Sequence, residues 1–209
     1  MDERLYNYIE QHIDKEPTLL KELSRETHIK IYHPRMLAGH FQGRLLAMIS
    51  KMIKPKYVLE IGTYTGYSTL CLAEGIQEKG EIHTIEKNDE LVDFIRSYIN
   101  KSQFAEKIVL HIGDAREIVP KINLLFDLVF IDGNKKEYVE YYNVIINKVK
   151  KGGFIIADNV LWNGKVIDKS ENDENTKAVR EFNKIIAEND ELEKILLPIR
   201  DGIFIIRKK

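Results

Sequence analysis

A chain of 209 residues, 44% hydrophobic and 31% charged, is long enough to bury a sizeable core as one large domain. Its 32 Lys and Arg against 33 Asp and Glu exclude a strong overall basic field for nucleic acid, while leaving room for a local patch. The charged start "MDERLYNYIEQHIDKE" has no apolar signal core, and no run approaches the roughly 20 apolar residues of a membrane span, so a cytoplasmic protein with no membrane partner is expected.

Helical periodicity runs through "LYNYIEQHI", "PTLLKELSRETH" and "RMLAGHFQGRLLAMISKMI", the last closed by Lys54-Pro55. From Tyr57 the pattern changes to short apolar runs alternating with longer amphipathic ones. "YVLEIG" precedes "STLCLAEGI", "EIHTIE" precedes "ELVDFIRSYIN", and "KIVLHIGDA" precedes "REIVPKI". "FDLVFID" then precedes "KEYVEYYNVIINKV", and "GFIIAD" precedes "NTKAVREFNKIIAEN". Strands interleaved with helices imply right-handed crossovers and an α/β fold, a doubly wound, mostly parallel sheet covered on both faces. "KILLPIR" and "IFIIRKK" around Asp201-Gly202 predict a closing hairpin that adds an antiparallel strand, making seven strands in all. The single Cys71 excludes an internal disulfide and reads as a small core residue. No repeat or Pro/Gly-rich linker interrupts the chain. Residues 1–209 are therefore expected to form one domain, with 1–54 a helical cap region and 55–209 the α/β core.

Ligands of an open parallel sheet bind outside the carboxyl ends of the strands. Those ends are acidic here: Glu60-Ile61-Gly62, Glu86, Gly113-Asp114-Ala115, Asp132 and Asp158-Asn159. Each alone is a common turn or cap residue, but five on one edge repel one another unless cations or hydroxyl donors are bound. In "EIGTYTGYS", Gly62 and Gly66 allow a tight turn and close approach of a ligand, at a spacing that is neither the dinucleotide fingerprint nor a P-loop. Glu86, 24 residues after Gly62, is placed to accept from both hydroxyls of a ribose. Glu60 argues against a pyrophosphate and for a ligand with a cationic part.

With "VLEIGTYTGYS", "HTIEKN", "HIGDA", "FDLVFIDGNK" and "GGFIIADNVLWNGK", the chain resembles the class I S-adenosylmethionine-dependent methyltransferases. More narrowly it resembles the metal-dependent O-methyltransferases that include the catechol and caffeoyl-CoA enzymes, with their Rossmann-like sheet. The resemblance implies that Glu60, Gly62 and Tyr64 surround the methionine part of S-adenosylmethionine, with Gly66 in the same loop and Ser68 opening the next helix. It places Glu86 at the ribose, Asp114 and Ala115 at the adenine, and Ala38 and Gln42 of "MLAGHFQGRLL" over the cofactor. Asp132, Asp158 and Asn159 match ligands of Mg²⁺ or another divalent cation. Asp132 thereby also borders the cofactor and shares the catalytic role with Lys135, which matches a general base or substrate-orienting group. The chain departs from the family's Asp-Ala-Asp-Lys or Asp-His-Trp-Lys in reading Asp132-Gly133-Asn134-Lys135. Two carboxylates and an amide oxygen are the hard donors Mg²⁺ takes, and a metal so held lowers the pKa of a bound hydroxyl.

The remaining candidates read more plainly. His28, His33 and His40 fit no zinc spacing, Trp162 flanks a substrate or packs a loop, and Tyr138, Tyr141 and Tyr142 form a packing stripe. Lys148, Lys150, Lys151 and Arg207-Lys208-Lys209 read as solvated ends. The expected function is methyl transfer to a hydroxyl of a small vicinal diol, a catechol or hydroxycinnamoyl compound, by a homodimer. The alternatives are methylation of a hydroxylated wobble uridine in tRNA, for which Lys30, Arg35, Arg44, Lys54 and Lys56 speak, and non-catalytic nucleoside binding.

Overall fold

The computed structural model describes residues 3–209. β1 (Tyr57–Ile61), β2 (Glu81–Glu86), β3 (Ile108–Ile112), β4 (Phe126–Ile131) and β5 (Val149–Asp158) are parallel, and β7 (Ile203–Lys208) runs antiparallel between β5 and β6 (Leu192–Leu197). The order is β3-β2-β1-β4-β5-β7-β6, the seven-stranded sheet with its closing hairpin that the alternation of runs implied. The order in which strands are added reverses between β1 and β4, so a crevice opens at their carboxyl ends.

Strand residues alternate between two apolar layers, as a period of two requires. Leu59, Ile61, Val129, Ile131, Ile155 and Ala157 face α7 (Tyr138–Ile145) and α8 (Glu174–Glu188). Val58, Ile82, Leu128, Phe130 and Ile156 face the layer formed by α2 (Thr18–Lys30), α3 (Gly39–Ile53), α4 (Tyr67–Ala73) and α5 (Val92–Lys101). Cys71 is buried in that second layer, and Tyr138, Tyr141 and Tyr142 in the first, where Tyr138 and Tyr142 meet Phe182 edge-on. α1 (Glu3–Gln11) precedes them, and α6 (Ala115–Ile118) is a single turn after β3.

Two readings are corrected. The helix expected from Arg35 begins only at Gly39, because His33 and Gly39 take left-handed φ of 61° and 76° around a 3₁₀ turn at Pro34–Met36, leaving Leu37 extended. The lysine runs are not free ends. Lys150 lies within β5 and pairs with Asp127 at 2.6 Å, Lys148 donates to the Ile122 carbonyl, and Lys208 to those of Ile146 and Val149.

Candidate functional site

A cavity of about 1000 Å³ occupies the crevice at the switch point, walled by Gly62, Tyr64, Glu86, Asp132, Lys135 and Asp158 among others. Its size suits a nucleoside with room for a second small molecule.

On the β1–β3 side the acidic groups are held by the protein's own hydrogens. Glu86 accepts from the backbone N–H of Tyr64 at 2.7 Å and of Asn88 at 2.8 Å, so both oxygens are fixed at the cavity wall. Burial raises its carboxyl above the usual range. Gly62 has φ 101°, and a Cβ there would lie 2.3 Å from the Asp132 carbonyl oxygen, so only glycine lets the β1 loop pass the end of β4. Gly66, φ 93°, precedes α4 and does not line the cavity, whereas Ser68 and Ala38 do.

Three further residues expected at the cofactor do not themselves line the cavity. Glu60 is fully buried behind the wall, accepting from Thr84 Oγ1 at 2.6 Å and from Thr69, with Oε1 unpartnered; burial pushes its carboxyl up to about 7. Asp114 does not line the cavity, although its neighbours Gly113 and Ala115 do. It caps α6 through Arg116 N at 2.9 Å and is held well below the usual carboxylate range by the Arg116 guanidinium, with Lys87 beside it. Gln42 is 1% exposed, does not line the cavity, and donates from Nε2 to Asp158 Oδ2 at 2.7 Å.

On the β4–β5 side, carboxylates converge. Asp132 and Asp158 end adjacent parallel strands, and Asp201 joins them from the turn before β7, whose first residue Ile203 pairs with Asp158. Burial, with Asp158 adding to it and Lys135 opposing, pushes the Asp132 carboxyl up to about 6. Lys135 Nζ donates to Asp132 Oδ1 at 2.9 Å and to Tyr138 Oη at 2.6 Å, while Tyr138 donates to the Asp158 carbonyl at 2.8 Å. Asp158 Oδ1 is buried with no partner. An unpaired buried carboxylate oxygen costs free energy unless something binds it. Asn159, with φ 57°, lines the cavity next to it. Among the described residues no three His, Cys, Asp or Glu side chains are grouped so as to hold a metal by themselves.

Of the histidines, His33 lines the cavity, His28 is exposed with Nδ1 on the Ser24 carbonyl, and His40 stands apart from the cavity. Trp162 lines it too. Sequence reasoning missed Tyr138 as a partner of Lys135, and Arg200 and Asp201 as cavity residues. The antiparallel hairpin carried the signal for the last two, since the turn preceding a strand antiparallel to β5 must lie at the carboxyl end of β5.

A sequence model of the O-methyltransferase family matches residues 10–209. Caffeoyl-CoA O-methyltransferase 5 of Nicotiana tabacum is 34% identical over 219 residues, spanning 98% of this chain and 90% of its own. Caffeoyl-CoA O-methyltransferase 1 of Arabidopsis thaliana is likewise 34% identical, over 98% of this chain and 84% of its own. The SAH-bound methyltransferase of Podospora anserina superposes with a TM-score of 0.91 at 28% identity, covering 100% of this chain and 97% of its own. The Bacillus cereus O-methyltransferase in complex with SAH gives 0.90 at 25% identity, over 97% and 96%.

Proposed function

The chain belongs to the O-methyltransferase family, as an S-adenosylmethionine-dependent enzyme of the caffeoyl-CoA O-methyltransferase type, and on that premise we propose that its acceptor is a small vicinal diol held by a divalent cation. One observation carries the proposal. Asp132 and Asp158 converge at the end of the cavity away from Glu86, and a buried oxygen of Asp158 is left without a partner.

Asp132, Asp158 and Asn159 would hold the cation, since all three are hard oxygen donors on one wall. Bound there, a divalent ion would take two adjacent substrate oxygens and lower the pKa of the hydroxyl to be methylated. The rest of the work falls to the chain. Glu86, fixed by two backbone donors, presents acceptor lone pairs to the ribose hydroxyls. Lys135, held between Asp132 and Tyr138, would orient the acceptor hydroxyl with its Nζ, and only as the neutral amine would it take that proton. Tyr64, Trp162 and the segment 31–37 wall the cavity and limit water at the reacting centre. Positioning and charge neutralisation supply the acceleration, with no covalent intermediate on the protein.

The five basic residues behind the tRNA reading are spread over the fold. Lys30 and Arg35 line the cavity, Arg44 is tied to Glu74 at 2.5 Å, and Lys54 and Lys56 lie before β1 at the opposite end of the sheet. The deciding assay is methyl transfer from labelled S-adenosylmethionine to a catechol panel and to bulk tRNA, each with and without Mg²⁺. Transfer to catechols only with metal is the expected result. Metal-independent transfer, or transfer to tRNA alone, overturns the proposal. The enzyme is further proposed to be a homodimer, supported by Met48 and Met52, 53% and 77% exposed on α3; a monomer mass in light scattering would overturn that.

A further inference from the structure

We propose that Gln42 is a positioning residue whose neutral amide separates the Arg200 guanidinium from the Asp158 carboxylate, keeping one Asp158 oxygen open to the cation. The inference rests on the metal-site reading above and concerns a residue the strand ends do not supply.

The amide is used at both ends. Nε2 donates to Asp158 Oδ2, and Oε1 accepts from Arg200 Nη1, which also donates to the Ala38 carbonyl. The opposite orientation would set NH₂ against a guanidinium and a carbonyl against a carboxylate, so these two partners fix the amide. The neighbouring carboxylates are each engaged: Asp132 by Lys135, and Asp201 by the backbone N–H of Asn163. Among the described residues Asp158 makes no ion pair, although a guanidinium stands one amide away. An arginine in direct contact would form a paired, charge-assisted bond to both oxygens. The glutamine prevents that, fixing the rotation of the carboxylate through Oδ2 while leaving Oδ1 unpartnered in a residue 3% exposed.

The spacer makes a prediction that a packing role does not. In Gln42→Leu the guanidinium is released from its acceptor and can close onto Asp158, so Mn²⁺ binding, followed by the electron spin resonance of free Mn²⁺, should weaken about tenfold or more. Arg200→Gln alone leaves the amide donor in place and should change Mn²⁺ affinity by less than about threefold. The double variant Gln42→Leu with Arg200→Gln should regain most of the lost affinity, because the competing cation is gone. S-adenosylmethionine affinity by calorimetry should hold within about twofold throughout, as Glu86 and its two backbone donors are untouched. If Gln42→Leu does not fold, Gln42→Met, with an unbranched side chain that likewise cannot donate, takes its place in the same set. Unchanged Mn²⁺ affinity in the Gln42 variant, or a double variant as weak as the single, overturns the spacer. Failure of the wild-type chain to bind Mn²⁺ at all overturns the underlying metal reading instead.

Discussion

The two halves of the crevice handle negative charge in opposite ways. Along β1–β3, Glu86 and Asp114 have both oxygens engaged by their own neighbourhood, while Glu60, set back from the cavity, accepts twice at one oxygen. At the ends of β4 and β5, Asp132 and Asp158 face each other in low dielectric, one relieved by Lys135 and the other left with a bare oxygen. On the proposed reading the first half receives a neutral sugar and base, and the second a cation that would offset its crowded negative charge.

Removing a ligand from the second half should break that contrast most severely. Asp158→Ala is expected to lower turnover at least about a hundredfold, roughly 2.7 kcal/mol in the barrier, while calorimetry shows nearly unchanged S-adenosylmethionine affinity. EDTA should abolish activity, and Mg²⁺ or Mn²⁺ restore it; full activity in excess chelator would make the Asp-Asn pair a mere strand end. Glu86→Ala probes the other half and should weaken S-adenosylmethionine binding by about 2 kcal/mol through the loss of two hydrogen bonds. Unchanged calorimetric affinity would reject the ribose role. Asn159→Ala, which removes an uncharged donor, should reduce turnover about tenfold, less than the aspartate.

The smallest effect concerns Glu60, the fully buried acid of the first half. Its ordinary value of 4.5 is raised to about 7, so between these limits the folded protein binds a proton that the unfolded chain has released. Its contribution to stability is therefore greatest at low pH and declines as pH rises from 4.5 through about 7. Glu60→Gln, which mimics the protonated form, should raise stability at pH 8 by on the order of 1 kcal/mol and make no difference at pH 4. Denaturant midpoints that move together at both pH values would contradict this.

The contrast was half legible in the sequence. Strand ends announce themselves, because an apolar run stops at a carboxylate, and so Glu86, Asp132 and Asp158 could be placed on one edge without a structure. Local capping was harder to separate from ligand contact. Asp114 follows a strand and precedes a helix, and the helix-capping role took it, since Arg116 two residues on closes back over it. Glu60 sits within a strand, where one residue of phase decides between cavity and core, and its neighbours Thr69 and Thr84 claimed it for the core. Contacts such as Gln42 to Asp158 join residues 116 apart in the chain, and no periodicity encodes them. The tyrosine stripe was legible as packing, but the hydroxyl at the end of Tyr138 reached past the core to Lys135.

Gly62 joins these halves more tightly than any polar contact. The β1 loop passes so near the Asp132 backbone that any side chain at 62 would push one wall into the other. The walls at the ends of β1 and β4 therefore cannot shift independently of each other. A lineage that acquires a new acceptor must do so in the segments that border the cavity without wedging against its floor. Trp162 and Asn163, on the cavity wall beyond β5, lie in such a stretch. New chemistry in this enzyme would then arise at its rim while the seam at the centre stays as it is.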